Sequence, residues 1–172
     1  IKARQIGPAV MSGRITDIEN HPTDKNIIYV GAAGGGVWKS QDAGVTFKSI
    51  FDDHAQSIGS IEIDPNSPDK IIWVGTGEVN ASRSSYAGIG LLKSDDKGES
   101  WQFMGLPDSH HISRILINPE DPGEIVVGVT GHLYSANKER GIYKTTDGGK
   151  TWSNELFINE ETGIIDVAVN PE

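Results

Sequence analysis

Ser40-Gln41-Asp42-Ala43-Gly44-Val45-Thr46-Phe47, Ser94-Asp95-Asp96-Lys97-Gly98-Glu99-Ser100-Trp101 and Thr145-Thr146-Asp147-Gly148-Gly149-Lys150-Thr151-Trp152 follow one pattern: hydroxyl, any, Asp, any, Gly, any, hydroxyl, aromatic. They recur roughly fifty residues apart, the signature of a repeated structural unit. Each follows a short apolar segment (Gly36-Val37-Trp38-Lys39, Ile89-Gly90-Leu91-Leu92-Lys93, Gly141-Ile142-Tyr143-Lys144) and precedes a second strand-like stretch. Strand, polar turn with Gly, strand predicts a β-hairpin. An Asp or Ser side chain accepts hydrogen bonds from backbone N–H groups a few residues on. Gly44, Gly98 and Gly149 supply the positive φ such a turn needs. Ser40, Asp42, Ser94, Asp96, Thr145 and Asp147 are thus read as turn builders, with Phe47, Trp101 and Trp152 as packing residues.

A second repeated phrase sets the register. Ile18-Glu19-Asn20-His21-Pro22, Ile61-Glu62-Ile63-Asp64-Pro65, Ile115-Leu116-Ile117-Asn118-Pro119 and Val167-Ala168-Val169-Asn170-Pro171 each end a strand in a polar residue and Pro, which has no N–H for a ladder. The first three lead into Ile27-Ile28-Tyr29-Val30, Ile71-Ile72-Trp73-Val74 and Ile125-Val126-Val127, the composition of buried strands. Each repeat therefore reads as four antiparallel strands, the blade of a β-propeller. The fold expectation is an all-β partial propeller with blades at about 13–52, 58–105 and 112–158, and the first strand of a further blade at about 164–170. No segment carries a capped 3.6-residue apolar period, so no helix longer than a turn is expected. Propellers close with about four to eight blades. The chain is therefore expected to be a piece of a longer protein whose remaining blades are its neighbours, with ring closure by several copies as the alternative.

The repeated turn resembles the Asp-box of sialidase-like, sortilin-like and xyloglucanase-like propellers. The wider text, from Ile6-Gly7-Pro8-Ala9-Val10-Met11-Ser12-Gly13-Arg14-Ile15 to Tyr29-Val30-Gly31-Ala32-Ala33-Gly34-Gly35-Gly36-Val37-Trp38-Lys39-Ser40, is most similar to bacterial sortilin-type propellers. Phe47 stands where that family usually has Trp. The resemblance implies a non-catalytic domain that binds a peptide, protein or carbohydrate, and an extracytoplasmic location. The alternative is a glycoside hydrolase-like propeller. Xyloglucanase-like propellers carry a catalytic Asp in a segment like Thr-Asp-Ile-Gly-Gly-Ala-Tyr, and alignment on the Gly pair puts Ala33 at that place. Sialidase-like enzymes use an Arg cluster, and only isolated Arg residues occur here.

Composition narrows the partners. Against 15 basic residues stand 24 acidic ones, a net charge of −9, with no basic cluster of the kind nucleic acid requires. No apolar run is long enough to span a membrane as a helix, and the absence of Cys removes disulfide and thiolate chemistry. Gly149-Lys150-Thr151 lacks the earlier Gly of a phosphate loop, since Lys144 stands there. Asp95-Asp96-Lys97-Gly98 fails calcium-loop spacing, with Ser100 and Leu106 at the sixth and twelfth places. No cofactor and no metal is expected: His54, His110, His111 and His132 share one end of the fold but come from separate blades, and the adjacent pair points oppositely.

In a four-stranded meander the Pro turns and Asp-box turns share one end, while the loops between second and third strands and between blades share the other. The first set repeats; the second varies in length and content, as binding loops do. The candidate ligand residues are therefore Arg14, Glu78, Arg83, Tyr86, Arg114, His132 and Tyr134 at the loop-rich end. Arg14 and Arg114 are expected at matching places near the axis, to grip an anionic ligand or to neutralise neighbouring acids. Glu78 with Arg83, and Glu139 with Arg140, read as loop salt bridges or as acid–base groups.

Overall fold

The computed structural model describes residues 13–170 and is all-β, in three four-stranded antiparallel sheets. The first blade contains β1 (Ile15–Asn20), β2 (Ile28–Ala32), β3 (Gly36–Ser40) and β4 (Lys48–Ser49). The second contains β5 (Ile58–Ile63), β6 (Ile72–Thr76), β7 (Leu91–Ser94) and β8 (Gln102–Phe103); the third contains β9 (Ile112–Ile117), β10 (Ile125–Val129), β11 (Gly141–Thr145) and β12 (Ser153–Leu156). Each sheet keeps chain order from inner to outer strand. A single 3₁₀ turn, Pro107–Ser109, is the one helical element among the described residues. The Ile6 to Ser12 part of the sortilin-type resemblance lies outside the described residues.

The hydrophobic cores lie between blades rather than at one centre. Tyr29 and Val37 of the first blade pack against Ile61, Val74 and Leu92 of the second. Trp73 and Leu91 of the second pack against Ile115 and Val127 of the third. Blades stacked in this way bury apolar faces only against their neighbours, as repeat architectures do. Residues 164–170 continue this logic without pairing as a strand among the described residues. Ile164 N donates to Val129 O at 3.0 Å, and Ile164 and Val167 lie where a Cβ on Gly128 would point.

The Asp-box turns divide their work between a buried hydroxyl and an outward carboxylate. In the second blade the Asp96 carboxylate accepts from Ser100 N at 2.8 Å and Ser100 Oγ at 2.5 Å. The Ser94 hydroxyl donates to it at 2.8 Å and accepts from Gly98 N at 2.7 Å. The same bonds recur around Asp42 and Asp147. Gly44, Gly98 and Gly149 have φ of 87°, 91° and 86°. Hydrogen bonds from Ser100 hold the Asp96 carboxyl down at about 2, and bonds from Thr151 do the same for Asp147. Yet Ser40 and Ser94 are fully buried whereas Asp42 and Asp96 are exposed. Water can replace an exposed carboxylate but cannot reach the N–H of buried Gly98. Ser94→Ala is therefore expected to cost about 1–2 kcal/mol, with a smaller loss for Asp96→Ala. Chemical denaturation of the two variants checks the order.

The closing Trp has a second task that Phe47 cannot share. Trp101 Nε1 donates to Ile50 O at 3.0 Å and Trp152 Nε1 to Met104 O at 2.8 Å, each reaching back to the preceding blade. Phe47 carries no donor and is 43% exposed. Aromaticity is kept there, but the staple between blades is lost.

Candidate ligand-binding face

The loop-rich end is organised around Glu78. This side chain is completely buried, two residues beyond β6. Arg14 grips it from the first blade: Nε and Nη2 donate to Oε1 and Oε2, both at 2.6 Å. This charge-assisted fork is the strong form of such a bond, and it raises the Arg14 pKa. Ser57 Oγ accepts from Glu78 N at 2.9 Å, and His111 lies close enough to Glu78 to feel its charge. Burial is the main cause that holds the His111 pKa down. Arg14, Ser57 and His111 each stand one residue before the innermost strands β1, β5 and β9. One carboxylate-bearing residue thus joins the inner ends of three blades.

The loop that follows folds on this anchor. Ser85 Oγ donates to Asn80 O at 3.0 Å and accepts from Ser82 N at 2.9 Å, and it lies 3.4 Å from Glu78 Oε2. Ser84 Oγ accepts from Arg14 Nη2 at 3.3 Å. The third blade's loop then reaches across: Tyr134 OH donates to Ser82 O at 2.8 Å. Its ring remains 77% exposed, and that of Tyr86 65% exposed. Arg83 is also exposed. The third blade's loop is shaped by buried Arg140, whose Nη1 donates to Thr130 O at 2.6 Å and whose Nη2 donates to Ser135 O at 3.0 Å and to His132 O. Asn137 Oδ1 accepts from His132 N at 2.9 Å. His132 stacks on His110 with ring centroids 3.6 Å apart.

Several expected pairings are different in the structure. Glu78 pairs with Arg14, 64 residues away, rather than with Arg83. Arg140 caps backbone carbonyls rather than Glu139. Arg14 and Arg114 are not equivalent: Arg114 sits inside β9 opposite Gly128, the place of Asp17 opposite Gly31 and Ser60 opposite Gly75. Arg114 lies 3.6 Å from Asp166 and near Glu19 and Glu62, where burial raises both pKa values and the Arg114 charge opposes the rise. Both Arg residues are thus engaged with acids of the same chain. His54 stands apart against Phe51, at 4.9 Å. Among the described residues no three His, Cys, Asp or Glu side chains gather as a metal's ligand set.

Two features escaped the sequence reading. Glu19 and Glu62 face Arg114 from the inner strands of the first and second blades. Burial and then the Glu19 charge push Glu62 up to about 8, and burial and then Asp17 push Glu19 up to about 7. The available signal was their shared place three residues before Pro22 and Pro65. The second feature is a hollow of about 300 Å³ at the Asp-box end, lined by Asp64, Trp73, Lys93 and Asp147. Lys93 there is already paired with Asp95 at 2.8 Å and lies over the Trp73 ring.

No protein-family model matches the chain. It is 25% identical over 158 residues to an oligoxyloglucan-reducing end-specific xyloglucanase of Emericella nidulans, covering 87% of this chain and 19% of that protein. It is 28% identical over 170 residues to xyloglucanase Xgh74A of Acetivibrio thermocellus, covering 90% and 19%. Among solved structures, an ancestral GH74 enzyme gives a TM-score of 0.61 at 22% identity, covering 82% of this chain and 18% of that one. YCF48 bound to D1 peptide gives 0.54 at 18% identity, covering 86% and 41%. The chain spans about a fifth of the length of the curated relatives it matches. These likenesses agree with an all-β propeller segment that is similar in sequence to xyloglucanases and in fold to GH74 and YCF48 structures.

Proposed function

We propose that this chain is the glycan-contacting part of a xyloglucanase-like propeller, with Tyr86, Tyr134 and Arg83 forming the contact surface on the loop-rich end. The observation that carries the reading is the exposure of two large rings at this end, Tyr86 and Tyr134, the second of them tethered. Tyr134 is held by its hydroxyl to Ser82 O, so a large ring face is displayed in water without the freedom of an untied side chain. Rings that are rigid before binding lose little entropy on contact, and their apolar faces suit the C–H faces of sugar rings. The xyloglucanase relatives supply the ligand class. The sortilin-type reading has no such support.

The assignment to these residues is binding rather than bond cleavage. A glycosidase needs two carboxyl groups about 5–9.5 Å apart with the sugar between them. Glu78, the buried carboxylate of this end, is committed to Arg14 through both oxygens. A polysaccharide ligand also fits the extracytoplasmic location that the resemblance implied.

Isothermal titration with xyloglucan oligosaccharides, cello-oligosaccharides and an acidic peptide tests the reading. Binding to a xyloglucan oligosaccharide is expected, with Tyr134→Ala weakening it about tenfold, equivalent to ~1.4 kcal/mol. Peptide binding without glycan binding would overturn it and favour a partner of the kind seen in the Ycf48 complex.

A further inference from the structure

Resting on the glycan-binding reading, we infer that Glu78 is the positioning residue of the contact surface: it touches no ligand itself but fixes the loop that carries Tyr86 and anchors Tyr134. The chain of contacts runs through named atoms. The Glu78 carboxylate takes the Arg14 fork at 2.6 Å and meets Ser85 Oγ at 3.4 Å. Ser85 closes the turn from Asn80 to Ser82. The Ser82 carbonyl, presented by that turn, receives the Tyr134 hydroxyl from the next blade. The backbone at this point is equally constrained. Gly77 N donates to Ser57 O at 2.8 Å, and Glu78 N to Ser57 Oγ at 2.9 Å. A Cβ on Gly77, whose φ is +89°, would stand 1.8 Å from His110 O, so the loop leaves β6 by one narrow path between the second and third blades.

A buried carboxylate held at both oxygens is a costly feature to keep in a loop with no structural need of it. Residues 77–90 form the longest of the three loops between second and third strands, and no strand interrupts them. Such a loop keeps one shape only when its interior is tied. Glu78 supplies the tie where the inner strands of three blades begin. Binding through Tyr86 and Tyr134 therefore depends on a residue below the surface they form.

The test joins two measurements on the full chain: amide exchange of residues 79–90 and affinity for a xyloglucan oligosaccharide. Glu78→Ala is expected to speed exchange in 79–90 at least tenfold, leave β5, β6 and β9 protected, and weaken binding about as far as Tyr134→Ala. Glu78→Gln keeps the shape and one acceptor for Arg14, and is expected to recover much of both protection and affinity. Tyr86→Ala is expected to weaken binding with loop protection intact. Should Glu78→Ala fail to fold, Arg14→Lys, which keeps the charge and loses the fork, takes its place. Unchanged exchange in 79–90, or a loosened loop with unchanged affinity, overturns the inference. If the unaltered protein does not bind the oligosaccharide, the glycan reading fails by itself, while the exchange measurement still decides whether Glu78 orders the loop.

Discussion

Gly75→Ala is expected to destabilise the protein by about 3 kcal/mol, the upper part of the range for overpacked cores. Gly31, Gly75 and Gly128 occupy one place in successive blades, opposite Asp17, Ser60 and Arg114. Side chains of the chain that follows, Ile58, Ile112 and Ile164, press on the sheet at this point. A Cβ on Gly75 would stand 2.4 Å from Ile112 Cγ2 and 2.8 Å from Ile112 Cβ. Ile112 is β-branched and fully buried, so its rotamer offers little escape. The alternative is to push two blades apart and open the core that contains Trp73, Ile115 and Val127. The three glycines differ in a way that makes the prediction specific. On Gly31 the Cβ would meet Ile58 Cγ2 at 2.8 Å, and on Gly128 it would meet Ser113 Oγ at 2.7 Å and Ile164 Cγ2 at 3.1 Å. Gly128→Ala is therefore expected to cost less than Gly75→Ala, because the Ser113 hydroxyl can turn away, giving up its bond to Gly128 O, and a shift of a few tenths of an ångström relieves Ile164. Urea unfolding of Gly75→Ala and Gly128→Ala decides the matter: equal losses would show that the close approach does not set blade spacing.

These glycines also show what the sequence conceals. The Asp-box turns were legible because their chemistry is local: hydroxyl, carboxylate and glycine act on N–H groups within four residues. The strands were legible from alternation and from the prolines that end them. Spacing between blades is a long-range matter, and an isolated Gly in an apolar run does not announce which Ile will press on it. The same holds for the tryptophans. Their packing role could be read from the motif, but their donation to a carbonyl about fifty residues earlier could not. At the loop-rich end the residue types were found and their partners were not. Arg14 and Glu78 were both candidates, yet nothing local shows that a cation before β1 and an acid after β6 meet. Arg140 likewise stands beside Glu139 in sequence but binds carbonyls. Acid–base neighbours along a chain are a poor guide where strands turn successive side chains to opposite faces.

The two ends of the repeat thus answer to different constraints. At the Asp-box end the hydroxyl and carboxylate of each blade repeat the same local hydrogen-bond set, while Trp101 and Trp152 reach back to the preceding blade. At the loop-rich end one residue, Glu78, draws on all three blades. A change there spreads, while a change in an Asp-box hydroxyl or carboxylate stays local. This difference is a physical reason for variable function to sit on the loops and for the turns to remain alike.

Raising the pH from 5 to 9 is expected to destabilise the protein, and Glu62→Gln is expected to remove much of that loss. Glu62 stands on β5 beside Glu19 and Asp17 of β1 and Arg114 of β9. Burial is the first cause that lifts its pKa to about 8 from an ordinary 4.5, and the Glu19 charge is the second; Arg114 opposes both. The carboxyl is thus protonated in the folded protein at a pH where the unfolded chain has already ionised it. A raised folded pKa contributes no penalty below about 4.5. As pH climbs from there through about 8, the unfolded state gains from ionisation while the folded state resists it, so stability falls. The full shift corresponds to roughly 5 kcal/mol at ~1.4 kcal/mol per unit. Partial contact with water reduces this to about 2–3 kcal/mol. Gln keeps the shape of the neutral acid and cannot ionise. Glu62→Gln is therefore expected to match the unaltered protein near pH 5 and to exceed it by about 2 kcal/mol near pH 9. Glu19, lifted to about 7 by burial and then by Asp17, should leave a smaller remaining slope that Glu19→Gln removes. Thermal or urea unfolding across this pH range gives the answer. A wild-type stability that rises from pH 5 to 9, or a slope unchanged in Glu62→Gln, would mean that Arg114 and solvent neutralise this acid pair along the inner strands.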